Sequence, residues 1–250
     1  FKKLLSNKVK LVSILHVSNA LGTIVPIKEL ISISHKKKIP VLVDGCQSVP
    51  HMKVDVQNLD ADFYCFSGHK IYGPTGIGIL YSKKYLLEKM LPYQGGGEMI
   101  SEVTFKKTTY QEPPHKYEAG TPNIVGSIAL GTAIDYVKNI NIEKICQHEQ
   151  NLLNYATDKI KSLNEVKIIG TSKNKAGIIS FIVKNTHPND VGVILDNHGI
   201  AVRTGHHCCQ PLMHFYNIPA TVRASFGLYN TFDEIDNFTD ALKNAIKLLR

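Results

Sequence analysis

The sequence predicts an α/β protein: a large domain on a mostly parallel sheet, residues 1–140, and a smaller C-terminal α/β domain, residues 141–250. Two observations lead there. Short, continuously apolar runs alternate with helical stretches, the pattern of strands covered on both faces. The residues able to do chemistry fall just after those runs, where open α/β sheets gather ligands. A chain of 250 residues, 43% of them hydrophobic, can bury cores of that size.

Residues 9–17 read as the first buried strand, with Ser18, Asn19 and Ala20 leaving its carboxyl end. Pro26 opens a helix that sets Ile27, Leu30 and Ile31 on one face and closes before Pro40. Residues 41–44 form the next strand; a loop and a short helix lead to another at 62–66, and 78–81 makes a further one. Asn19, Asp44 and the loop 67–70 are expected to gather at the carboxyl edge. Residues 92–120 read as loop, with Gly95-Gly96-Gly97 and Pro113-Pro114. Thr121-Pro122 is expected to cap a long helix reaching Ile140.

The second domain opens on an amphipathic helix whose face carries Ile145, Glu149, Leu152, Ala156, Ile160 and Leu163, with Glu149 the one polar member. Strands follow near 166–169 and 177–183, then a helix at 189–198, a strand at 200–203 and a last strand at 222–226. Thr231 and Glu234 spell a capping box for the closing helix. No repeat, linker or low-complexity tract interrupts the chain.

Composition removes several classes. The net charge of +8 is nearly all lysine, with arginine only at 203, 223 and 250, and it is spread over polar faces, so no nucleic-acid partner is expected. No apolar run approaches the length of a membrane span, and no membrane association is expected. Five cysteines without disulfide spacing fit a reducing intracellular compartment; Cys46, Cys65 and Cys146 read as small buried hydrophobes. Cytosol and a plastid-type organelle both suit this, and the chain opens on Phe1-Lys2-Lys3 without a methionine or visible leader.

Lys70 is the first candidate for chemistry. It follows Ser67 and His69 at a strand end and precedes the turn Gly73-Pro74-Thr75-Gly76. A loop lysine is ordinarily solvated, but pyridoxal phosphate needs a lysine amine for its aldehyde and a carboxylate for its ring nitrogen. Asp44, either a turn residue or that carboxylate, ends the preceding strand. Ser67 and His69 are suitable phosphate donors. Gln47 is placed to donate to the ring hydroxyl; Asn19 is placed for that hydroxyl or for a substrate carboxylate.

Residues 43–47 and 67–76, read together, resemble the class V, fold-type I pyridoxal-phosphate enzymes. Arg203-Thr204-Gly205-His206-His207-Cys208, followed by Gln210-Pro211-Leu212, resembles the group II cysteine desulfurases of the SufS type. Gly95-Gly96-Gly97-Glu98-Met99 and Glu118-Ala119-Gly120-Thr121-Pro122 fit the same family. The resemblance implies a fold-type I transferase that turns L-cysteine into L-alanine and supplies sulfur for Fe–S cluster assembly. A related selenocysteine lyase and a non-catalytic scaffold for a sulfur acceptor are the alternatives.

On that resemblance Lys70 would hold the cofactor and move the Cα proton, Asp44 would pair with the ring nitrogen and Gln47 with the ring oxygen, and Ser67 and His69 would bind the phosphate, His69 counting with Lys70 and Cys208 among the catalytic residues. Arg223 would clamp the substrate carboxylate with help from Asn19 and Arg203. Thr121 would reach the phosphate of a partner subunit, making a homodimer. Cys208 would be the nucleophile, with Arg203, His206 and His207 as the cationic surroundings that favour a thiolate, and a SufE-like protein would take its sulfur. Adjacent histidines and adjacent cysteines lack the gaps of common zinc sites, so no metal is expected. Cys209 departs from the family and reads as a bland substitution, an oxidation or metal liability, or a resolving thiol. Relatives carry a ring-stacking histidine and a phosphate loop ahead of the equivalent of Val9. That N-terminal part of the large domain is expected to be absent, and these 250 residues to bind cofactor poorly and turn over slowly.

Overall fold

The computed structural model describes residues 1–250 as two units. The first comprises Phe1–His16, Pro26–Pro50 and Val54–Asn139; the second comprises Val17–Val25, His51–Lys53 and Ile140–Arg250.

In the first unit, β1 (Val12–Leu15), α1 (Ile27–His35), β2 (Val41–Asp44), α2 (Val56–Leu59), β3 (Phe63–Ser67), β4 (Gly78–Ser82) and α3 (Lys84–Lys89) follow in order. The sheet runs β1-β2-β3-β4, parallel at its first two pairings and antiparallel at the last. Leu15 pairs with Asp44 and Asp44 with Cys65, so the carboxyl ends of three strands share one edge. Val41 and Val43 are fully buried, and Ile27 and Ile31 bury the apolar face of α1, as the sequence pattern requires. The opposite end of the sheet is fixed by buried Asp62. Its carboxylate accepts from the Val41 N–H at 2.8 Å and from Lys83 at 3.1 Å and lies 2.6 Å from His35.

The stretch read as loop contains a hairpin, β5 (Ile100–Val103) and β6 (Thr108–Tyr110). Alternation in so short a pair was masked by its exposed, mixed side chains. The long helix, α4 (Ile124–Ile140), starts later than expected. Asn123, not Thr121, caps it: its side-chain oxygen accepts the Gly126 N–H at 2.9 Å.

The second unit holds α5 (Ile142–Lys161), β7 (Val166–Ile169), β8 (Ile178–Val183), α6 (Pro188–Asn197), β9 (Arg203–Gly205), α7 (Gln210–Tyr216), β10 (Thr221–Ser225) and α8 (Phe232–Leu248). Its sheet is antiparallel throughout, in the order β7-β8-β10-β9. Leu152, Ala156 and Ile160 of α5 meet Phe181, Leu195, Val222, Phe238 and Leu242 in one core. Each large side chain fully buried there contributes about 1.5–3 kcal/mol. Thr231 and Glu234 form the expected capping box of α8.

Glu149 sits on the buried face of α5 because His51 meets it: Nδ1 lies 2.7 Å from Oε2. Cys146, expected buried, is exposed on the other side of that helix. The expected strand at 200–203 forms instead at Arg203–Gly205, and α7 was not foreseen. The segment Val17–Val25 is bound to this unit by Ala176 N–H to Gly22 O at 2.8 Å and by a Ser180 hydroxyl to Ala20 O. This is what places Asn19.

Candidate active site

In the first unit the functional side chains stand on the turns after β2 and β3. Asp44 ends β2, exposed, and one carboxylate oxygen accepts the Cys46 N–H at 2.9 Å. The turn that follows packs flat on Tyr64: a Cβ at Gly45 would lie 2.0 Å from the Tyr64 ring. Tyr64 is in turn held by the Ser48 hydroxyl and by His16 Nδ1 at 3.0 Å. Burial, reinforced by the charge of Asp44, pushes the Tyr64 hydroxyl up to about 12, so it remains a neutral structural donor. Gln47 sits part-buried in the same turn.

Ser67 ends β3, and Gly68–Ile71 winds into a single 3-10 turn that carries His69 and Lys70. Gly73 closes it against the Gly68 carbonyl, where a Cβ would come within 2.8 Å. The Cys46 thiol lies 3.6 Å from the Ser67 hydroxyl and joins the two turns. Lys70 is part-buried, and its amine makes no hydrogen bond or ion pair in the chain. Asp44, Ser67, His69 and Lys70 are thus brought to one sheet edge, as expected. An acid, a hydroxyl, an imidazole and an uncommitted amine are the donor set that a protonated pyridine, a phosphate and an aldehyde require, so these residues fit pyridoxal phosphate. Thr121 is exposed, ahead of α4.

Asn19 lies in the segment Val17–Val25, which groups with the second unit. Its side-chain amide donates to the His207 carbonyl at 2.7 Å, and its own carbonyl accepts from Arg223 Nη1 at 2.8 Å. Arg223 is part-buried on β10, and its Nε is buried without a partner. Burial and the neighbouring Arg203 guanidinium pull its pKa below the ordinary arginine range. The two arginines face each other in the β9–β10 register. Two cations held side by side, one with an unused buried N–H, suit a carboxylate.

After β9 the chain makes a tight turn in which His207 and Cys208 both adopt left-handed backbone, φ 54° and 57°. The turn closes with Cys209 N–H to His206 O at 2.9 Å and presents Cys208 to solvent. His207 was expected among the cations around the thiol. It is buried instead, with Nε2 on the Thr221 hydroxyl at 2.8 Å, and burial together with Arg223 and Arg203 pulls its pKa down to about 4. It is neutral near pH 7, which leaves Arg203 and exposed His206 as the basic groups that line the hollow at Cys208. Cys209 packs partly buried against the small apolar cluster of Ala20, Leu21 and Ile169, which accounts for it as a space-filling residue. Thr221 was missed. Its signal was its place two residues before Arg223, which puts both side chains on one face of β10.

The sequence pattern of the family described as Aminotransferase class-V matches residues 1–238. A protein of Escherichia coli O8 (strain IAI1) named "Cysteine desulfurase" is 49% identical over 247 residues, 98% of this chain and 61% of its own. Among solved structures, the E. coli cysteine desulfurase CsdA, in an S-sulfonic acid form, superposes with a TM-score of 0.95 at 37% identity, covering 99% of this chain and 62% of that one. An apo cysteine desulfurase from Thermococcus onnurineus NA1 gives a TM-score of 0.92 at 42% identity, over 95% of this chain and 60% of that one. The fold is therefore the fold-type I arrangement expected from the sequence, and the chain spans about three fifths of the length of these relatives.

Proposed function

The chain belongs to the aminotransferase class-V family, and from that premise we propose that it serves a cysteine desulfurase that converts L-cysteine to L-alanine and leaves the sulfur as a persulfide on Cys208. The observation that carries this reading is Cys208, presented to solvent on a strained turn in the same unit as the part-buried Arg223 with its unused Nε–H. A substrate that needs both a carboxylate clamp and a thiol partner is a thiol-bearing amino acid.

Pyridoxal phosphate, when bound, supplies an aldehyde that engages amines and a ring that stores the electron pair of the Cα–H bond. Lys70, whose amine has no competing partner in the chain, would anchor it and then serve as the base at Cα. Asp44 would keep the ring nitrogen protonated and Gln47 would donate to the ring oxygen; Ser67 and His69 would take the phosphate. Arg223 holds the substrate carboxylate beside Arg203. Cys208, as a thiolate, would attack the substrate sulfur: the S–S bond forms as the Cβ–S bond breaks, and the bond pair stays with Cβ, which takes up a proton to become the methyl group of alanine, so carbon is reduced as sulfur is oxidised.

The SufS-type assignment rests on the stretch 203–212, and with it go a SufE-like acceptor and delivery to Fe–S cluster assembly. A homodimer belongs to the same reading. Thr121 is exposed near the start of α4, and Ile124, Val125 and Ile128 are exposed on that helix.

The test is borohydride reduction of cofactor-loaded protein followed by peptide mapping, alongside alanine release from cysteine. The pyridoxyl group is expected on Lys70. A loaded, active protein labelled on another lysine overturns the assignment.

A further inference from the structure

Four hydrogen-bonded groups of the second unit close a ring around the Cys208 turn. Arg223 Nη1 donates to the Asn19 carbonyl at 2.8 Å. The Asn19 amide donates to the His207 carbonyl at 2.7 Å, one residue before Cys208. The His207 ring, 3% exposed, meets the Thr221 hydroxyl at 2.8 Å. Thr221 and Arg223 stand on the same face of β10, two residues apart, and this completes the circuit.

We propose that His207, with Asn19 and Thr221, is a positioning residue that holds the Cys208 sulfur in fixed register with the Arg223 guanidinium, so that an anion bound at Arg223 is aimed at the thiol. The inference rests on the roles given above to Arg223 and Cys208 and adds what couples them.

Three features support it. Left-handed backbone at two successive non-glycine residues is unfavourable by itself and persists only where its surroundings impose it. Here the amide of Asn19 and the hydroxyl of Thr221 do so from opposite ends of His207. Secondly, the guanidinium is planar with five N–H donors, so a carboxylate can take the unpartnered Nε–H and a neighbouring N–H while Nη1 stays on Asn19. Binding leaves the ring of hydrogen bonds intact. Thirdly, a histidine kept neutral and buried neither donates a proton to the reaction nor repels the arginines, which suits a structural strut.

The experiment compares alkylation of Cys208 by iodoacetate and by iodoacetamide in the cofactor-loaded protein, the adduct being located by mass. The two reagents share an electrophilic carbon, and only iodoacetate carries a carboxylate. The iodoacetate to iodoacetamide rate ratio is expected to exceed that of free cysteine about tenfold, to saturate, and to fall on adding L-alanine. Arg223→Gln should abolish the excess. Thr221→Val and His207→Gln should each lower it at least fivefold, with the iodoacetamide rate changed less than about twofold. An excess that Arg223→Gln removes but both other variants retain overturns the positioning role and leaves the functional reading standing. A wild-type ratio equal to that of free cysteine overturns both.

Discussion

Arg203 and Arg223 are directly opposed across the β9–β10 ladder. Like charges in that relation destabilise a sheet, and an anion between them removes the cost. L-Alanine, which carries the carboxylate and lacks the thiol, should therefore raise the melting temperature of the cofactor-loaded protein. Arg223→Lys keeps the charge but loses the planar fork, and its affinity for L-alanine should fall about tenfold, or about 1.4 kcal/mol. Equal thermal shifts in the two proteins would contradict the clamp.

The depressed pKa of His207 has a signed consequence for stability. The unfolded chain takes up this proton near 6.5, the folded one only near 4. Between those values the unfolded state binds more protons, so stability is full above 6.5 and declines as pH falls toward 4, by up to about 3 kcal/mol. His207→Gln should flatten that part of the profile. Urea midpoints at a series of pH values for the two proteins check it; parallel profiles would refute a neutral buried ring.

Gly45→Ala should damage the cofactor edge without touching a functional side chain. Its Cβ would meet the Tyr64 ring at 2.0 Å, so the turn that carries Asp44 and Gln47 has to move. A destabilisation of about 1–3 kcal/mol is expected, together with weaker cofactor retention on gel filtration. Wild-type retention would count against the placement of that turn.

Part-buried His51 pairs with buried Glu149, whose second carboxylate oxygen has no partner. His51→Leu strands the carboxylate and should cost about 3–5 kcal/mol, whereas the double variant His51→Leu/Glu149→Leu should cost much less. Denaturant titration of the three proteins decides it. A single variant as stable as the double one would mean that the pair carries no coupling.

The elements most legible in the sequence are those whose pattern is long or whose chemistry is local. Strand 41–44 and strand 166–169 have the bounds read from their apolar runs, and the Thr231–Glu234 capping box is written in two residues. Glu149 looked like a flaw in an apolar face until His51, distant in sequence, supplied its partner. Thr121 lost the cap of α4 to Asn123, because either residue type serves and only backbone geometry chooses. The residue types of the candidate site were visible as motifs. The ring through Asn19, His207, Thr221 and Arg223 was not, since it joins positions that only the fold brings together. The same ring turns His207 from an expected cation into a neutral strut.

The central claim is that Cys208 receives the sulfur of cysteine, and peptide mass analysis after adding L-cysteine to the cofactor-loaded protein tests it most directly. The expected result is a gain of one sulfur atom on Cys208 that thiol reduction removes and that persists in Cys209→Ser. A sulfur adduct found on Cys209 alone, with Cys208 unmodified while alanine accumulates, would contradict it.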